Sequence, residues 1–198
     1  MPNIKCIAVG IGLSVLGQIA SATTLQPIPD EALVRASQLV AVGTVGRIEA
    51  LQRRDGRIVT EITFRIERRV KGRPRSRSIV LTQPGGRVGS NVQWTYGVAE
   101  FSVGERALVF ARLGRDGRLR PVGMALGKYA VAAGPNATAT RQLPTRDTRA
   151  LEQFLEHLAA LAASAPDRDA PVRSGRHREA TGAVRTGQVV ERFSLLDA

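Results

Sequence analysis

The sequence predicts an all-β fold, a small barrel or sandwich of five or more strands with a C-terminal α-helix packed on it. Three observations predict it. Short β-branched runs recur between Gly- and Asp-bearing turns, the run from Ile58 to Glu67 alternates apolar and polar residues, and one late stretch has helical spacing.

Residues 1–22 have the three parts of a secretory signal. Lys5 supplies the charge, residues 6–19 the apolar segment, and Ala20-Ser21-Ala22 the small-residue cleavage site, with Ala20 and Ala22 in its two defining places. About 15 apolar residues reach roughly 22 Å, short of the ~30 Å hydrocarbon core, which favours a cleaved leader over a membrane anchor. Cleavage after Ala22 would remove Cys6, the chain's single cysteine, so the exported domain would rest on its apolar core without disulfides.

Residues 23–37 read as an extended leader and a short helix, with Asp30 as N-cap and Ala32, Leu33 and Ala36 on one face. Residues 38–133 carry the strand signals. Residues 39–48 are β-branched, with Gly43 and Gly46 suited to a bulge or tight bend. Asp55-Gly56 marks a hairpin turn before Ile58, and the Lys71-Gly72-Arg73-Pro74 segment breaks the alternating run. Strands follow at 78–83, 107–113, 119–122 and 127–131, with turns at Pro84-Gly85-Gly86, Gly104-Glu105 and Asp116-Gly117. Residues 134–145 read as a linker. Residues 146–164 form an amphipathic helix with Leu151, Phe154, Leu155, Leu158 and Leu161 on its stripe and Asp147 or Thr148 as N-cap. Residues 165–198, rich in Ala, Gly, Arg and Asp, are expected to be a disordered tail, with Val189-Val190 and residues 193–196 apolar enough to dock.

The layout of residues 36–133, with "SQLVAVGTVGRIEA", "GRIVTEITFRIERRVKG", "IVLTQPGGRVG", "FSVGERALVF" and "LRPVGMALGKYAV" in order, resembles a group of small secreted bacterial proteins. Members of that group can be encoded near, or fused to, matrixin-type zinc metalloproteases. More distantly the chain is similar to the netrin-like domain of tissue inhibitors of metalloproteases, an OB-type barrel in which a strand ending in a Lys-Gly turn precedes further strands. Lys71-Gly72 and Gly104-Glu105-Arg106 hold the comparable places. The resemblance covers about half of the chain and implies an OB-type (netrin-like) barrel, a bacterial secreted or periplasmic location, and an exported metalloprotease as a partner class. Those inhibitors bind the protease zinc through a disulfide-held N-terminal cysteine. No cysteine follows Cys6 here, so that mechanism does not carry over.

Catalytic chemistry finds little material. The only histidines are His157, on the helix boundary, and His177, in the tail, and neither sits in a partner motif for a nucleophile. Zinc, EF-hand and phosphate-loop motifs are missing, and Glu152 and Glu156 form an ordinary i, i+4 pair. Seven acids, Glu49, Asp55, Glu61, Glu67, Glu100, Glu105 and Asp116, are spread over the strand region, and nothing in the sequence pairs any two for glycoside hydrolysis. The expectation is a protein that is not an enzyme, with no catalytic residues, cofactor or metal.

Charge is the feature that remains. The chain has a net charge of +12, with lysine only at Lys5, Lys71 and Lys128, so the excess is arginine. Arg65, Arg68, Arg69, Lys71, Arg73, Arg75 and Arg77 crowd one stretch, opposed within it by Glu67 alone. A strict period of two would put Arg65 and Arg69 on one outward face with Glu61 and Glu67, and the rest on the following turn. This cluster is either a solvated end that keeps a sheet edge from aggregating or an anion-binding face. Trp94 and Tyr96, two residues apart, are the candidate surface aromatics, with a packed barrel mouth as the alternative. Stacking platforms beside basic charge also suit single-stranded nucleic acid, but secretion disfavours that ligand. The sequence therefore points to a binding or accessory module for another exported protein, such as a metalloprotease. The alternative is an envelope protein that takes an acidic polysaccharide or lipid headgroup on the basic turn.

Overall fold

Two 14-residue strands organise the molecule, and their burial follows from their sequence. The computed structural model describes residues 26–164; the leader with Ala20 and Ala22, and the tail with His177, lie outside them. A seven-residue helix, α1 (Asp30–Ala36), leads into β1 (Leu39–Gln52), which pairs antiparallel with β2 (Ile58–Lys71). Then come β3 (Ser78–Pro84), a ribbon of β4 (Gly86–Val88) and β5 (Asn91–Gln93), β6 (Arg106–Leu113), β7 (Leu119–Pro121), a 3-10 turn (Met124–Gly127), β8 (Lys128–Val131), β9 (Thr138–Arg141), β10 (Asp147–Ala150) and α2 (Leu151–Ser164).

The main sheet has the order β1-β2-β3-β7-β6-β8-β9-β10, and β1 pairs with β6 as well as with β2. The expected barrel is corrected here. The circuit from β1 through β3 and β7 back to β6 lacks a continuous ladder, because β3 and β7 meet at a single parallel pair, Leu81 with Leu119. The result is one large sheet with a C-terminal helix on it, not a closed barrel. On the outer side of that seam Arg118 donates to Glu61, whose strand neighbour across β2 and β3 is Thr82.

Residues 39–42 and 107–111 are buried on both faces, which is why they read as continuous apolar runs and not as alternation. Leu39, Ala41, Val109 and Ala111 face Ile62, Phe64, Ile79 and Leu81 inside the curve of the sheet. Val40, Val42, Leu108 and Phe110 face the other way, onto Leu33 and Val34 of α1 and Phe154, Leu155 and Leu158 of α2. The α1 face is therefore Leu33 and Val34; Ala36 is exposed.

Three further expectations are revised. The segment 134–145 is no plain linker, since it contains β9, which pairs with β8 and β10. The helix expected over 146–164 begins at Leu151, and Asp147 and Thr148 lie in β10 instead of capping it. Pro29, not Asp30, holds the N-cap position of α1, without a side-chain cap. The expected break after β2 is present: the strand ends at Lys71, and at Gly72 φ is +87° and a Cβ would overlap the Gln38 carbonyl, so only glycine fits.

Candidate functional site

The basic stretch is split by two bulges. Val42 pairs with Arg68 and Gly43 with Ile66, leaving Glu67 as an extra residue; Val40 pairs with Lys71 and Ala41 with Arg69, leaving Val70 extra. Each extra residue shifts the pleat by one, and cross-strand partners share a face. Arg65 thus lies opposite Thr44 on the outer side, whereas Arg69 lies opposite Ala41 on the inner side. The expectation that Arg65 and Arg69 share one face fails for this reason, because a strict period of two does not survive a bulge.

The same shifts tie two of the seven basic residues to the helices. Arg68, on the side of Val42, reaches α2 and pairs with Glu152 at 2.5 Å. Lys71 is half-buried, and its Nζ donates to the Val34 carbonyl at 2.7 Å, capping the end of α1. Arg65 is partly answered by Glu67, which accepts hydrogen bonds from Thr44 and from Arg106 Nε. The Thr44 bond, then the Arg106 bond and charge, hold the Glu67 pKa below the usual carboxylate value against the desolvation that raises it.

Arg69, Arg73, Arg75 and Arg77 remain. All four are exposed, and their guanidinium groups make no hydrogen bond or ion pair among the described residues. They form an arm at the end of β2 and along the connection to β3, where Ile66 N–H donates to the Arg77 carbonyl at 2.7 Å and Ser78 pairs with Arg65. Arginine suits planar two-point recognition of carboxylates.

Trp94 and Tyr96 are not packed into a barrel mouth; they are 68% and 98% exposed, beside the β4–β5 ribbon. Phe64 and Phe110 are fully buried.

Sequence reasoning missed two clusters. Glu49 and Glu61 are direct cross-strand partners and line a shallow hollow with Arg47, Thr63 and Val80. Each carboxylate is already bound by an arginine, Glu49 by Arg47 and Glu61 by Arg118. The second cluster ties the helices to the sheet. Arg149 donates Nε and Nη2 to Asp147 at 3.1 and 2.8 Å and Nη1 to Asp30 at 2.5 Å, and stacks over Phe154. Buried Arg141 lies 3.5 Å from Asp147 and over the Tyr129 ring. His157 Nε2 lies 3.4 Å from Asp30. Desolvation opposes the charge of Arg149, but the bonds to Asp147 and Asp30 outweigh it and raise its pKa. Burial pushes the Tyr129 phenol up to about 12. Arg149 and Asp147 are two residues apart, but Asp30 is 119 residues from Arg149, so no local motif marks the cluster as a whole.

Among the described residues no group of three or more His, Cys, Asp and Glu could hold a metal ion, and no helix is long and apolar enough to cross a membrane. Comparison with models of known protein families, with curated proteins and with solved structures returned no match.

Proposed function

We propose that the chain is a non-enzymatic exported binding module of OB-type ancestry, which engages an acidic patch on another exported protein through the arm Arg69, Arg73, Arg75 and Arg77. The observation that carries this reading is the split of the basic stretch. Arg68 and Lys71 are spent on α2 and α1, while four neighbouring guanidinium groups are left exposed without a carboxylate among the described residues. The leader at residues 1–22 supports export, and the layout of residues 36–133 supports a metalloprotease as the partner class.

The test is affinity capture from an envelope extract, with the wild type and with a variant carrying Arg69→Gln, Arg73→Gln, Arg75→Gln and Arg77→Gln. One stoichiometric protein, released by raised salt and absent from the variant's capture, is the expected result. Equal capture by both chains overturns the reading. Salt-sensitive retention of many unrelated anions favours an anionic envelope ligand on the same arm instead.

A further inference from the structure

The end of the sheet opposite the arm carries a second arrangement. Strand β2 has 14 residues, at most roughly 46 Å at 3.3 Å per residue, with the arm at its Lys71 end and the β1–β2 turn at Ile58. There the β4–β5 ribbon folds over the strand. Gln93 Oε1 accepts the Ile58 N–H at 2.8 Å, and the Gly85 N–H donates to the Ile58 carbonyl at 2.9 Å. A Cβ on Gly86 would press on Thr60 and Ala50, and one on Gly85 would press on the Gln93 carbonyl, so glycine lets the ribbon lie close.

Since Gly86 and Gln93 face the sheet, the alternate residues face out. Arg87 is the cross-strand partner of Val92, and Trp94 follows Val92 by two. Residues 94–96 are pinned at both ends, by Gln93 on Ile58 and by the Gly97 carbonyl, which accepts the Ala125 N–H at 2.8 Å. Between the pins Trp94 and Tyr96 stand largely in water. Two large aromatic residues exposed within three positions on a held segment are informative where a single one is not. Exposed Arg87 shares their surface, and exposed Arg54 and Arg57 lie on the adjoining turn, whose one carboxylate, Asp55, is 3.7 Å from Arg57.

We propose that this end binds an acidic polysaccharide, a polymer of pyranose rings bearing carboxylate or sulfate groups. The C–H face of a pyranose packs on the electron-rich face of Trp94 or Tyr96, and the anionic groups meet Arg87, Arg54 and Arg57. The choice of a glycan over nucleic acid rests on the export reading of residues 1–22.

Trp94 is the single tryptophan of the chain, so its emission reports this end. The full chain is titrated with polygalacturonate, with dextran as the neutral polymer and with oligothymidylate as the nucleic acid. Polygalacturonate is expected to shift the emission to the blue and dextran to leave it unchanged. Arg87→Gln and Tyr96→Ala should each weaken the apparent affinity about tenfold, the loss of one contact worth about 1.4 kcal/mol. The fourfold arm variant should keep the shift, which separates this site from the arm. An unshifted spectrum, an equal response to dextran, tighter binding of oligothymidylate, or loss of the response in the arm variant would each overturn the proposal.

Discussion

At the scale of single residues, the buried polar cluster between the helices and the sheet is the most exposed to challenge. Removing one partner of a buried charge pair leaves the other without compensation. Asp147 serves both Arg149 and the buried Arg141, so Asp147→Ala should cost about 3 kcal/mol of stability by chemical denaturation. A loss below about 1 kcal/mol would show that Arg141 finds water or another acceptor. Tyr129 gives a separate handle. Its folded pKa of about 12 exceeds the ordinary 10.0, so between those values the native state holds a proton that the unfolded chain has released. The contribution is intact below about pH 10 and lost as pH rises through about 12. Denaturation midpoints measured across that window should fall steeply for the wild type and less steeply for Tyr129→Phe; parallel curves would rule the phenol out as the cause. Glu67 has the opposite sign. Its pKa is depressed, so its contribution is present above the ordinary carboxylate value and is lost as pH falls through the folded one.

At the scale of elements, α2 is part of the core and not an appendage. Leu158 is fully buried against the sheet with Phe154 and Leu155, and Leu158→Ala should cost about 2–5 kcal/mol in an unfolding experiment. A cost near zero would mean that the helix docks only weakly. The strands of the central region were legible because turn residues and β-branched runs there agree with each other, and the alternation of β2 matches its burial from Ile58 to Ile66. Strands β9 and β10 were not legible. They have four residues each, β9 has a single aliphatic residue in Ala139, and its other buried side chain is Arg141, which no hydrophobic pattern would place inside. The helix start was misplaced for the same reason, since Asp147 resembles a cap locally but is drawn into β10 by Arg149 and Arg141. The candidate arm was half legible. Charge density marked the stretch, but the bulges at Glu67 and Val70 decide which side chains are spent on packing, and bulges leave little trace in composition.

At the scale of the whole molecule, the net charge of +12 resolves into locations with different duties. Arg68, Arg106, Arg118, Arg141 and Arg149 are bound to carboxylates that hold elements together. The arm is bound to nothing described, so replacing its four arginines should leave the thermal midpoint unchanged or slightly raised, by relief of repulsion. A marked drop in the midpoint would assign the arm a structural duty. The central claim, that the arm is the surface an acidic partner meets, is tested most directly by a photo-crosslinking side chain placed at Arg75 and, as the control, at Gln153 on the exposed side of α2. The expected result is one adduct from position 75, suppressed by raised salt, and none from position 153. Adducts from position 153 alone, or from position 75 with no dependence on salt, would contradict it.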